Sequence, residues 1–115
     1  MTKAFVLGNL SRNPDYKTTS NGTSVCDFCV AANGRRPDDV SFIDVTVYGK
    51  HAENCRQYLV KGSRVMVEGN IRQDRYEDRN GKKVYKTYIV ADEVIFLSPK
   101  ENSGRPEYDQ PPQHY

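Results

Sequence analysis

The chain has 115 residues, 37% hydrophobic and 28% charged, with eight Tyr, four Phe, no Trp, three Cys and a formal net charge of +2. That length fits one domain of ~100–150 residues, and no apolar run approaches the ~20 residues of a membrane helix or the h-region of a signal peptide. Three cysteines are too few, and odd in number, for a disulfide-stapled secreted scaffold, so membrane, collagen-like, multidomain and exported readings give way to a reducing, cytoplasmic one.

In chain order, Lys3–Leu10 is a short apolar strand interrupted by Gly8, the mark of a bulge or a close backbone approach. Arg12-Asn13-Pro14-Asp15 and Ser20-Asn21-Gly22-Thr23 carry turn chemistry, Pro fixing φ and Asn-Gly supplying φ > 0. A second strand over Val25–Ala32 puts Cys26, Phe28 and Val30 on one face, and Asn33–Asp39 is a Gly/Pro/Arg loop. Val40–Tyr48 alternates as a third strand. The period then changes: Ala52, Cys55, Tyr58 and Leu59 form one helical stripe, which predicts a helix over Lys50–Lys61 stopped by Gly62 at C′. From Arg64 to Leu97 two long strand runs flank Glu77–Lys82, where Asn80-Gly81 marks a hairpin.

The order β-β-β-α-β-β predicts an all-β (mainly β) fold, a five-stranded OB-fold Greek-key barrel with one α-helix between strands 3 and 4. An open five-stranded sheet with a lone helix on one side has the same order. Residues 98–115 contain no Val, Ile, Leu, Met or Phe and four of the six prolines, so they cannot offset chain entropy by burial. They are expected to be a disordered tail on a domain covering residues 1–97. The charge divides the same way, 15 Lys+Arg against 12 Asp+Glu up to residue 97, and two against three beyond it.

Strand faces carry the functional signal. Ile43, Val45 and Val47 share a β-branched core face, which leaves Phe42, Asp44, Thr46 and Tyr48 on the other. On the next strand Val65, Val67 and Ile71 take one parity and Arg72, Asp74 and Tyr76 the other. If both core faces point inward, Phe42, Tyr48 and Tyr76 meet on one outer surface. Arg35, Arg36, Lys50, Arg72, Arg75, Lys82, Lys83 and Lys86 lie on that surface or on loops beside it. Rings among Lys and Arg suit single-stranded nucleic acid, whose bases stack while its phosphates are neutralised. Two alternatives stay open: an OB-fold protein-interaction module that docks a protein partner on the same rings, and a purely structural role in which a neighbouring loop or another subunit covers Phe42 and Tyr48.

Other candidate chemistry is weak. Cys26-Asp27-Phe28-Cys29 matches C-x-x-C, but on a strand its two thiols face opposite ways, and no second Cys/His pair stands at ligand spacing. Cys55 belongs to the helical stripe. Gly49-Lys50-His51 lacks the rest of a phosphate-binding loop, and neither His51 nor His114 has a nucleophile or ligand partner. No enzyme activity, metal or cofactor is expected.

VLGNLSRNPD (6–15), NGTSVCDF (21–28), VYGKHAENCRQYLVKGSRVMVEGNI (47–71) and NGKKVYKTYIVADEVIFL (80–97) together form a specific signature. On these motifs residues 3–97 resemble the bacterial single-stranded-DNA-binding protein family. The resemblance implies an OB-fold, usually a homotetramer, that coats single-stranded DNA with little sequence preference during replication, repair, recombination or uptake, in the nucleoid. By position it implies base-stacking roles for Phe42, Tyr48 and Tyr76, and basic positions near the DNA path at Lys50, Lys61 and Arg75. Two departures stand out. Many members have an aromatic where this chain has Arg35-Arg36-Pro37. Members also usually end in an acidic tip closing on Pro-Phe that recruits replication and repair proteins, whereas residues 98–115 hold no such tip, so that recruitment is not carried over.

Overall fold

Alternation and turn chemistry produce seven elements in the computed structural model, which describes residues 1–97. They are β1 (Ala4–Leu10), β2 (Asp15–Thr18), β3 (Ser24–Asn33), β4 (Val40–Tyr48), α1 (Lys50–Tyr58), β5 (Arg64–Glu77) and β6 (Lys83–Phe96). The expected disorder of 98–115 lies outside the described residues.

The sheet runs β1-β5-β6-β4-β3-β2, and β1 also pairs with β3 through Asn9↔Ala31 and Leu10↔Val30. That second pairing closes five strands into a barrel and leaves β2 as an added edge. The pairing of β4 with β6 is parallel, Val45↔Ile89 and Thr46↔Val90; the other strand pairs are antiparallel. This is the expected OB-fold barrel, with its helix between the third and fourth of the five expected strands. The short β2 is additional: between the two predicted turns, Asp15–Thr18 pairs with Ser24–Asp27.

Closure needs a place where two backbones nearly touch, and Gly8 is that place. A Cβ there would run into the Ala31 carbonyl oxygen and sit 2.9 Å from Val30 Cγ1. Inside, Phe28, Val30, Val45, Val47, Val65 and Val67 are all but fully buried, with Cys26, Cys55, Ala52, Leu59 and Ile89. A bulge in β6 preserves this core. The register steps from Glu68↔Glu93 to Gly69↔Ala91, so Asp92 is the extra residue and the inward parity switches from Ile89 and Ala91 to Val94 and Phe96. Asp92 then meets Lys3 Nζ at 3.1 Å, and the same ammonium lies 2.9 Å from Glu68.

Helix α1 ends earlier than its periodicity predicts. The stop is at Tyr58, with Leu59 extended and buried, and Gly62 belongs to the following turn. Partners outside the helix replace the last helical bonds, one local and two tertiary. Val60 N donates to Ser63 Oγ at 3.0 Å, Lys61 N to Asn13 Oδ1 at 2.7 Å and Gly62 N to Leu10 O at 2.9 Å. At its other side the helix is tied to the strands: Tyr16 OH bonds Ser24 Oγ at 2.8 Å, Ser24 Oγ donates to Glu53 Oε2 at 3.1 Å, and Arg56 lies over the Tyr16 ring. Among the described residues no helix is long and apolar enough to cross a membrane.

β5 and β6 are longer than the barrel needs. From Ile71 onward β5 is exposed on both faces, and past the Ile71↔Ile89 pair residues 72–77 and their partners form a two-stranded arm. Ile71, expected on the core parity, is 41% exposed, since it stands opposite Ile89 at the point where the arm leaves the barrel.

Candidate nucleic-acid interface

The outer surface is assembled by register. Thr46 lies opposite Asp27 on β3 and opposite Val90 on β6, so the outward parity passes across the sheet from Val25 and Asp27, through Thr46 and Tyr48, to Lys86 and Tyr88. On the arm Arg72↔Tyr88, Asp74↔Lys86 and Tyr76↔Val84 continue the same face. Phe42 is 65% exposed, Tyr48 47% and Tyr76 54%, all three on this outward parity. All three rings thus have the outward parity expected of them.

The basic residues separate into groups. Arg72 and Lys86 stand on the face itself, next to Asp74 and Tyr88. Arg35 and Arg36 occupy the exposed loop between β3 and β4, pinned by Gly34 N to Asp39 O and by Asp39 N to Arg36 O at 3.0 Å. Lys50 is exposed at the start of α1, two residues after Tyr48, and Lys82 lies in the arm's tip loop. Arg75 and Lys83 differ from expectation: paired with Tyr85 and Glu77, they project from the opposite side of the arm. Lys61 is exposed in the turn after α1, its backbone tied to Asn13, with no contact that joins it to the rings. None of these nine side chains closes an ion pair among the described residues, so their charge is left for an external anion.

Tyr88 was not picked out from sequence. It lines one hollow with Tyr48, and its hydroxyl donates to Asp74 Oδ1 at 3.3 Å. Partial desolvation and the Asp74 carboxylate push its pKa up. Its signal was the hairpin register, which the turn motif alone does not settle.

The thiols are structural. Cys26 faces inward opposite Val47, whereas Cys29 is opposite Asp44 on the other parity, and all three cysteines are buried and unpaired by disulfide. Burial pushes Cys26 up to about 11 and Cys55 up to about 12. Among the described residues no group of three or more His, Cys, Asp or Glu is placed to hold a metal ion. The surface offers half-exposed rings, uncompensated positive charge and a few fixed carboxylates, which is equipment for binding.

A family model described as the single-strand binding protein family matches residues 1–97. The chain is 37% identical over 110 residues to the single-stranded DNA-binding protein of Staphylococcus aureus (strain MRSA252), covering 90% of this chain and 69% of that one. It is likewise 37% identical over 110 residues to single-stranded DNA-binding protein 2 of Staphylococcus aureus (strain COL), covering 90% and 78%. With the single-stranded DNA-binding protein of Bacillus cereus it shares 35% over 119 residues, covering 97% and 70%.

Proposed function

The chain belongs to the single-strand binding protein family and binds single-stranded DNA, and we propose that it does so through the outer face carrying Phe42, Tyr48 and Tyr76. The observation that carries this mechanism is the continuous outward parity, which presents three half-exposed rings beside Arg72 and Lys86, neither of them ion-paired among the described residues. Bases stack on the rings, and Lys and Arg displace counterions from the phosphates. Arg35, Arg36, Lys50 and Lys82 extend the positive border, while Arg75, Lys83 and Lys61 serve strand that wraps beyond the face. Every base has a π-face, so this chemistry tolerates sequence. The role is a non-enzymatic coat, with residues 1–97 as the binding unit, holding strands open during replication, repair, recombination or uptake. Use of the same rings to dock a protein is not favoured.

Three rings per chain are few, so tight binding depends on several copies engaging one strand. Self-association as a homotetramer has support in β1. Phe5 is 70% exposed and Leu7 is also exposed, on a strand paired with β5 along Ala4–Asn9 but with β3 only at Asn9 and Leu10. Among the described residues no strand pairs with its other edge over residues 4–7, where a second chain adds by strand pairing.

Titration with poly-dT, duplex DNA and RNA, followed by Tyr fluorescence at two salt concentrations, tests the mechanism. Stacking gives quenching by poly-dT with an affinity that falls as salt rises. Salt-sensitive binding without any change in Tyr emission would remove the rings from the mechanism.

A further inference from the structure

One part of the outer face is not explained by stacking and phosphate neutralisation. Between β2, β3, β4 and the arm lies an open hollow of about 300 Å³. Two rings, Tyr48 and Tyr88, line it together with Lys17, Lys86 and two carboxylates, Asp27 and Asp74. Both carboxylates are held in place. Thr46 Oγ1 donates to Asp27 Oδ1 at 2.7 Å, Lys17 Nζ lies 3.6 Å from its other oxygen, and Tyr88 OH donates to Asp74 Oδ1. A carboxylate has about four acceptor positions, so each retains capacity for a further donor.

Lys17 and Lys86 balance the two carboxylates, so the hollow has no net positive charge to draw in a phosphate, and its two rings suit a base. The rings supply its stacking surface. At its edge, acceptors meet the exocyclic amino group of cytosine or adenine favourably, whereas thymine presents the O4 acceptor and a methyl group at the corresponding position. An acceptor facing an acceptor leaves a desolvated polar group unpaired, and that penalty is what gives hydrogen-bonded sites their discrimination.

We propose that the hollow is a base-selecting subsite, in which Asp27 and Asp74 favour amino-bearing bases over thymine within an otherwise sequence-tolerant binding face. The inference rests on the single-strand reading and adds a chemical preference to it. Asp74, bonded among the described residues by Tyr88 alone, is the freer acceptor and carries more of the preference than Asp27, which already receives Thr46 and attracts Lys17. Lys86 stands across the strand pair from Asp74 and neutralises the phosphate beside the seated base.

The test compares length-matched dC and dT oligomers, which have the same ring size, binding to the full chain and to Asp74→Asn and Asp27→Asn. An amide replaces one acceptor oxygen with a donor that can meet thymine O4. The dC-to-dT affinity ratio is therefore expected to fall about fivefold in Asp74→Asn, and in the same direction but less in Asp27→Asn. Loss of a negative charge strengthens binding of both oligomers alike, so the ratio isolates base readout from electrostatics. An unchanged ratio in both variants, with both oligomers still bound and salt-sensitive, overturns the subsite and leaves the coat reading intact. Failure of the unmodified chain to bind either oligomer overturns the coat reading and the subsite together.

Discussion

Replacing Phe42 by Ala, Tyr48 by Ala, and then both together separates stacking from the other contributions to binding. The two rings share the outward parity of β4 and stand six residues apart, roughly 20 Å at ~3.3 Å per residue, so no single base can touch both. Each stacked base is worth ~1–3 kcal/mol by alanine substitution. Sites this far apart add to within about 0.5 kcal/mol, so the double variant should lose about 2–6 kcal/mol, or roughly thirtyfold to twenty-thousandfold in affinity. Both rings are exposed in the free protein, so their loss should leave the urea midpoint close to that of the unmodified chain. Anisotropy of a labelled dT oligomer is the assay, because it does not depend on the Tyr emission that Tyr48→Ala removes. Repeating it across salt concentrations adds a check: the aromatic variants keep the slope of log affinity against log salt, whereas Lys86→Gln reduces it by about 0.7 for one lost phosphate contact. A folded Tyr48→Ala protein with undiminished affinity would refute the mechanism, as would a double variant no weaker than either single one.

Gly8→Ala should lower the urea midpoint by the equivalent of about 1–3 kcal/mol, because its Cβ would strike the Ala31 carbonyl where β1 closes on β3; an unchanged midpoint would mean that the barrel is not closed there. Phe5→Lys with Leu7→Lys places charge on the open edge of β1 and should reduce native mass to that of one chain, while retention of the oligomer would place the interface elsewhere. The buried thiols predict an alkaline limit. Unfolded Cys26 and Cys55 lose protons near their ordinary 9.0, but the folded chain holds them to about 11 and 12. Stability is therefore intact below pH 9 and falls above it, by about 1 kcal/mol per thiol for each unit until the folded value is reached. The drop in urea midpoint from pH 8 to pH 10 should be smaller in Cys55→Ala, and equal drops would contradict this account. Tyr76→Ala should weaken oligo-dT binding with native mass unchanged; loss of the oligomer would put Tyr76 in a subunit interface instead.

Most of the barrel is legible because its strands obey local rules. Val45 and Val47 alternate with Thr46 and Tyr48, and the structure buries the first pair and exposes Tyr48. Gly8 announces a close approach before its neighbour Ala31 is known. Helix α1 is legible in its start and its stripe but not in its end, because Tyr58 is followed by residues whose amides find partners outside the helix. Asn13, Leu10 and Ser63 take those amides, and no periodicity within Lys50–Lys61 reports on them. β2 is hidden for a similar reason: four residues between two turns are too short to show a period, and their pairing with β3 is set by the hairpin. Ile71 illustrates the opposite failure, since its parity is right but it stands where the arm leaves the barrel.

The site was partly legible because its rings are placed by two different mechanisms. Phe42 and Tyr48 are fixed by the alternation of one strand, so reading β4 alone finds them. Tyr88 depends on how two strands are joined. Asn80-Gly81 taken as a two-residue turn would set Arg79 opposite Lys82 and carry Tyr88 opposite Gln73, on the face away from Tyr48. Instead the Asp78 carboxylate accepts from the amides of Asn80 and Lys82, both at 2.9 Å, while Asp78 N bonds Lys82 O and Gly81 N bonds Asp78 O. Gly81 takes positive φ, at 80°. That loop is longer, and it puts Glu77 opposite Lys83 and Tyr88 opposite Arg72. One carboxylate at the arm's tip thus shifts the register by a residue and decides which of β6's aromatics joins the outer face. Tyr88 is brought there, with Asp74 as its acceptor, and Tyr85 is sent to the other side. The hollow beside Tyr48 therefore follows from Asp78 as much as from the residues that line it.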